Sequence, residues 1–406
     1  MSVMIDIIPD GGVTSPLGFS AGATYAGIKK QSRDALDLSI LFSEIPCVTA
    51  GAFTTNKIKA APVILDKQKL DKTGHAQAVV INSGCANACT GELGMTAATA
   101  TADLAAKLLG VASDMVMVAS TGVIGVQLPL DKVQAGLANI HLSSQGGSDL
   151  TRAIMTTDTR PKKIAVKVKT SGTIFTIGGT CKGAGMIHPD MATMLCFLTT
   201  DASVECDFLK ATLDDAIAAS FNMISVDGDT STNDTVLLMA NGLAGNEAIS
   251  SGSHLAAAFK QALNKVCLFL AKCIARDGEG ATRLIEVVVN GAKNLKDARL
   301  IVRTITSSPL VKTAVHGCDP NWGRIIAAAG RSGAELVSEK THVYIGEMCL
   351  MKNGLPLAFD KKAASSELNK EEVVLRVELN IGGDSATGWG CDLSEEYVLI
   401  NSVYTT

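Results

Sequence analysis

Aromatic side chains are scarce, at 4% of the 406 residues, so we expect close-packed layers and tight turns instead of an aromatic-rich binding surface. Basic runs are missing. The formal net charge of −4 is spread along the chain, which argues against a nucleic-acid or membrane partner and for a small-molecule ligand. No apolar run reaches transmembrane length, and the start, Met1 to Asp10, has neither the basic nor the long apolar segment of a leader peptide. Eleven cysteines, an odd number without paired Cys-x-x-Cys units, fit free thiols in a reducing cytoplasm. Cys85 and Cys89 would make only half of a metal site, so no metal is expected. Nucleotide loops of the Gly-x-Gly-x-x-Gly or Gly-Lys-Ser/Thr type are also lacking.

What the chain does have is a 47% hydrophobic composition and 38 glycines, enough for a large α/β core in two or three domains. Asp37 to Phe42 and Ala78 to Ile81 read as buried strands. The second breaks into the loop Asn82 to Gly91 before an Ala-rich helix from about Met95 to Leu109. Val116 to Ala119 is another strand, ending in Ser120-Thr121-Gly122-Val123-Ile124-Gly125. A plain turn explains that ending, but the Gly122 N–H and the Thr121 hydroxyl together also suit a developing oxyanion.

A helix near Asp131 to Leu137 precedes the polar elbow Thr156-Thr157-Asp158-Thr159-Arg160-Pro161, and Ile164 to Val168 and Thr173 to Ile177 then read as a hairpin. The hairpin delivers Lys182, which on residue type alone is ordinarily a solvated lysine. Cys206 to Phe221 is helical. The run Val226 to Thr235 lacks the later Glu of a calcium loop and reads as a network of caps and turns. A long helix from about His254 to Ile274 leads to Glu279, a loop carboxylate between two glycines, and then to a strand from Leu284 to Val289. We expect a main α/β domain over residues 1–289. A smaller one over 290–406 would hold a helix from Leu295 to Ile305, a helix N-capped by Asp319, and strands near Val343, Val374 to Leu379 and Tyr397 to Val403. No internal repeat or linker separates them.

The sharpest stretch is Lys182-Gly183-Ala184-Gly185-Met186-Ile187-His188-Pro189-Asp190-Met191-Ala192-Thr193-Met194-Leu195, a small-residue loop running into the buried strand Met194 to Leu198. Thr193 sits at the join. A Thr hydroxyl is a weak nucleophile without a base, and one solution is the α-amine of the same residue, freed by a cut before it, titrating at about 7.7 to 8.0. On the residues alone, a β-branched Thr that simply opens a strand is the better explanation of the position.

This stretch resembles the self-cleavage site of the ornithine acetyltransferase (ArgJ) family. The likeness continues through Gly51-Ala52-Phe53-Thr54-Thr55-Asn56, the Asn82 to Gly91 loop and Asp319-Pro320-Asn321-Trp322-Gly323-Arg324 to the C-terminus. It departs at Cys85, where the family usually has Asn. The resemblance implies cleavage between Ala192 and Thr193 into chains 1–192 and 193–406, with Thr193 as nucleophile and Thr121 and Gly122 as the oxyanion hole. Substrate contacts would come from Thr156, Lys182, Thr193, Glu279, Asn401 and Thr406, the tail returning to the active site. The implied fold is α/β, a layered αββα sandwich of the DmpA/ornithine acetyltransferase type with a second, smaller α/β domain.

The activity it implies is transfer of acetyl from N2-acetyl-L-ornithine to L-glutamate in cytoplasmic arginine biosynthesis. The assembly implied is a heterotetramer of two cleaved α and two β chains. No cofactor is implied, and acetyl-CoA is the candidate co-substrate that separates bifunctional from monofunctional members. Two rival readings remain: an N-terminal-nucleophile aminopeptidase or amidase of related fold, and a non-catalytic amino-acid-binding protein. Release of acetate as fast without glutamate as with it marks the first, and a chain that does not cut itself marks the second.

Overall fold

The computed structural model describes residues 3–29, 35–170, 172–188 and 194–403. The first half runs β1 (Met4–Ile7), β2 (Phe19–Thr24), β3 (Leu38–Phe53), α1 (Ala61–Thr73), β4 (His75–Cys85), α2 (Gly91–Leu109), β5 (Val116–Val123), α3 (Leu130–Leu137) and α4 (Gly147–Ala153). Then come β6 (Lys162–Thr170), β7 (Thr173–Lys182), β8 (Leu195–Thr200), α5 (Cys206–Ala219), β9 (Ile224–Ser225), β10 (Thr235–Ala240) and α6 (Ala256–Arg276). The last stretch holds β11 (Leu284–Ala292), α7 (Leu295–Thr306), α8 (Pro309–His316), α9 (Trp322–Gly330), β12 (His342–Ile345), β13 (Met348–Lys352) and β14 (Leu355–Pro356). It closes with α10 (Lys361–Leu368), β15 (Glu372–Glu378), β16 (Asp384–Cys391) and α11 (Glu395–Val403).

Among the described residues, nine strands form one sheet in the order β1-β6-β7-β8-β10-β3-β4-β5, with β2 on β3. Period-two alternation decides which way each side chain faces. Leu41 of β3, Val79 of β4 and Met117 of β5 point into the same cluster as Leu195 and Phe197 of β8 and Leu237 of β10. The opposite faces are covered by helices. Ile40, Val80 and Val118 pack with Ala98, Ala102 and Ala105 of α2, and Cys196, Leu198 and Leu238 pack with Leu209 of α5 and Val266 of α6. The one sheet thus folds at the long β3, which pairs with β4 along its first part and with β10 along its last, into two facing layers backed by helices, as the αββα expectation requires. The central strands β8 and β10 are parallel, buried at every position, and apolar almost throughout, which two-sided burial demands.

A second sheet runs β14-β13-β12-β15-β11-β16-β9. Its core is continuous with the first through α6, whose Leu270 and Ile274 share a cluster with Val287 and Leu375. Several elements outrun their sequence signals. β3 continues to Phe53 past Ser43-Glu44-Ile45-Pro46, the pairing with β4 shifting between Phe42 and Cys47, so the polar break is an irregularity and not a strand end. Asn321, not Asp319, caps α9, its side chain accepting from the Arg324 N–H. The C-terminal strand expected near Tyr397 to Val403 is instead helix α11: its apolar residues suggest a strand, but Glu395 and Glu396 suit a helix N-terminus, and among the described residues no sheet edge takes the segment up.

Candidate active site

The first wall of the site is the end of β5. This strand does not turn at Ser120 but runs on beside β4, with Ser83 opposite Thr121 and Gly84 opposite Gly122, and the register shifts at Cys85. Gly122 has φ 130°, and a Cβ there would lie 2.4 Å from the Gly84 carbonyl carbon, so only glycine fits this approach of two backbones. Cys85 is buried, its thiol on the Val126 carbonyl at 3.3 Å.

Two further walls come from the elbow after α4 and from the end of β7. Lys182 closes β7, paired with Leu195 at the start of β8, and is 4% exposed. The solvated reading of this lysine is therefore wrong: the hairpin drives its side chain into the sandwich. Burial pushes its pKa down, and Asp158 leads the carboxylates that oppose this, followed by Asp234 and Glu279, while Lys162 adds to the lowering. Glu279 is likewise buried, at 7% exposure, although a loop carboxylate is ordinarily solvated. Its N–H donates to the Ala184 carbonyl at 2.9 Å, and Asn401 Nδ2 of α11 donates to its Oε2 at 2.8 Å. A Cβ on Gly185 would lie 2.4 Å from Oε1 of this carboxylate, which accounts for the small residues after Lys182.

The run from Val226 to Thr235 forms the fourth wall, and its capping residues knit the others together. Asn233 Nδ2 donates to the Ala86 carbonyl at 2.6 Å and the Ser120 carbonyl at 2.8 Å, holding the backbone next to Thr121. Asp234 Oδ1 accepts from the Met194 N–H at 3.0 Å, clamping the first described residue after Thr193. Burial pushes this carboxyl well above the usual carboxylate range. Asp227 accepts the N–H groups of Met186 at 2.5 Å and Ile187 at 2.9 Å, and burial raises it to about 6.

One cleft of about 120 Å³ takes in all of these walls. Thr121, Gly122, Thr156, Lys182, Glu279 and Asn401, six of the positions named from sequence, line it together with Asp227, Asn233 and Tyr397. Ala192, Thr193 and Thr406 lie outside the described residues. Sequence reasoning missed Asp158, Lys162 and Asp277 as a buried ionic group, and Asn233 and Asp234 as clamps. Their only trace was the density of Asp, Asn and Thr in two segments, which signals caps but not the partners they find. Among the described residues no helix is long and apolar enough to cross a membrane.

The ArgJ family model matches residues 20–406. An arginine biosynthesis bifunctional protein ArgJ from Dehalococcoides mccartyi (strain CBDB1) is 54% identical over 100% of both chains. Its namesake from Symbiobacterium thermophilum is 52% identical over 98% of this chain and 99% of its own. The crystal structure of arginine biosynthesis bifunctional protein argJ from Bacillus halodurans is 45% identical with a TM-score of 0.50, covering 51% of this chain and 97% of that one.

Proposed function

Because this chain belongs to the ArgJ family, we propose that it cuts itself between Ala192 and Thr193 and then transfers acetyl from N2-acetyl-L-ornithine to L-glutamate. The observation that carries the reading is the convergence, in one cleft, of six separated residues whose chemistry suits an acetylated amino acid. In the first half-reaction the Thr193 hydroxyl attacks the acetyl carbonyl while its own α-amine takes the proton. The tetrahedral oxygen accepts hydrogen bonds from the Gly122 N–H and the Thr121 hydroxyl, and ornithine leaves with the proton on its amine. The glutamate amine then attacks the acetyl-Thr193 ester and regenerates the hydroxyl. Lys182 pairs with the α-carboxylate common to both substrates, while Glu279 and Asn401 close the other side.

The Bacillus halodurans chain matches this one over only 51% of its length while being itself 97% covered, about the size of one fragment from the proposed cut. That supports self-cleavage. The bifunctional relatives support a second donor, acetyl-CoA, delivering to the same Thr193. A cytoplasmic assembly of two cleaved α and two β chains completes the proposal.

Two measurements test it. Wild-type protein should run as two fragments, and Thr193→Ala should stay one chain with no transfer activity. Full cleavage of that variant would assign the cut to an outside protease. Steady-state formation of N-acetylglutamate from glutamate with acetylornithine, and separately with acetyl-CoA, reads the two donors. Acetate release at the same rate with and without glutamate would favour the aminopeptidase or amidase reading.

A further inference from the structure

Behind the cleft lies a buried ionic group that none of the roles above uses. Asp158 Oδ1 accepts from Lys162 Nζ at 2.6 Å and from the Gly183 N–H at 2.7 Å, and its Oδ2 accepts from the Thr156 N–H at 3.0 Å. Its side chain is fully buried. Lys162 is shared with Asp277 at 2.5 Å, and Asp277 also accepts from the Thr159 N–H and hydroxyl. One carboxylate thus ties the elbow carrying Thr156 to the backbone step that follows Lys182. Its ion-pair partner links both to the α6 C-terminus, two residues before Glu279.

We propose that Asp158 is the positioning residue of the amino-acid site, setting Thr156 and Lys182 at one spacing. This rests on the acetyl-transfer reading. The geometry supplies the reason: N–H donors to a carboxylate are short, directional bonds, and here they fix two cleft walls from a single buried point. The alternative of a stability-only ion pair does not need the two bonds to Thr156 and Gly183, since Lys162 is already matched by Asp277.

Charge works in the same direction. The groups facing Lys182 are Asp158, Lys162, Asp234 and Glu279, and Lys29 also feels both Asp158 and Lys182. Burial pushes the Lys182 ammonium toward its neutral form and the Asp158 carboxylate opposes this more than any other group, so removing that charge moves the Lys182 pKa further down. Asp158 itself stays ionised: burial pushes it up, but Lys162, Lys182 and the Gly183 N–H outweigh this and hold it below the usual carboxylate range. Lys162 is held above the usual lysine range by Asp158 and Asp277 despite burial.

The test compares Asp158→Asn with Asp277→Asn, which removes the other carboxylate from Lys162 without touching Thr156 or Gly183. In Asp158→Asn we expect KM for acetylornithine and for glutamate to rise together by at least about tenfold, with kcat within about threefold. The basic limb of kcat/KM should move to lower pH by about one unit or more, because Lys182 loses its proton sooner. Asp277→Asn should lower thermal stability comparably but leave both KM values and the basic limb in place. If Asp158→Asn is insoluble, Asp158→Glu keeps the charge and displaces the carboxylate, and should raise both KM values without moving the limb. Wild-type KM values in the Asp158 variants, or the same KM and pH changes in Asp277→Asn, would overturn the assignment. Absence of acetyl transfer in the wild-type control would instead overturn the functional reading on which it rests.

Discussion

Gly122→Ala is the substitution whose consequence can be worked furthest from the structure. The added Cβ would lie 2.4 Å from the Gly84 carbonyl carbon and 2.7 Å from the Cys85 nitrogen, both backbone atoms that no rotamer change can move aside. Ordinary contact begins near 3.4 Å, so β4 and β5 must part by about 1 Å at this point. A φ of 130° is also strained for any residue with a Cβ. That strain costs about 1–3 kcal/mol and the overpacking a similar amount, against a typical total stability of about 5–15 kcal/mol, so the chain should still fold. Function should suffer more than stability. An oxyanion donor contributes roughly 10²–10³ in kcat, and a shift of about 1 Å forfeits roughly two orders of magnitude. The KM values should stay within about twofold, because Lys182 and Glu279 sit on other walls. The assay is acetyl transfer per cleaved chain, with fragments quantified on a gel and folding followed by denaturant titration. A folded, fully cleaved Gly122→Ala protein with kcat within about threefold of wild type would refute the assignment of this backbone to the oxyanion.

Two other outcomes follow from buried charge. Lys182→Ala should raise KM for acetylornithine and glutamate together by about 2–3 kcal/mol each, roughly 30- to 150-fold, since a desolvated partner is lost from a carboxylate common to both; steady-state kinetics with a large effect on one substrate alone would count against a shared anchor. Asp227 is held by burial at about 6 against an ordinary 3.8, so the folded chain keeps its proton longer than the unfolded one, and this stabilisation is present below about pH 4 and lost as pH rises through about 6. Asp227→Asn has no such titration, so its stability relative to wild type should climb by about 2–3 kcal/mol between pH 4 and 7 in denaturant titrations. A flat difference across that range would show that Asp227 is not perturbed.

Local pattern was enough for much of the scaffold. The apolar run from Met194 to Leu198, the alternation through Ile164 to Val168 and the Ala-rich segment before Leu109 each specify their element, because period and side-chain size act over neighbouring residues. The motif around Ala192 and Thr193 carried the family, and with it the αββα layering and six of the residues that line the cleft. Other features needed the third dimension. Lys182 and Glu279 look solvated in sequence because residue type reports average burial, whereas their own depth depends on β8 and α11 closing over them. The Tyr397 to Val403 segment has strand-like composition, but its helix turns Tyr397 and Asn401 together toward the cleft. Asp158 meets Gly183 and Lys162 meets Asp277 across separations of 25 and 115 residues, and a hydrogen bond between groups so far apart in the chain leaves no periodic trace in either segment. Sequence determined which residue types the chain could place on each element. Only folding decided which of their charges share a low-dielectric interior, and the strength of every interaction at this site depends on that.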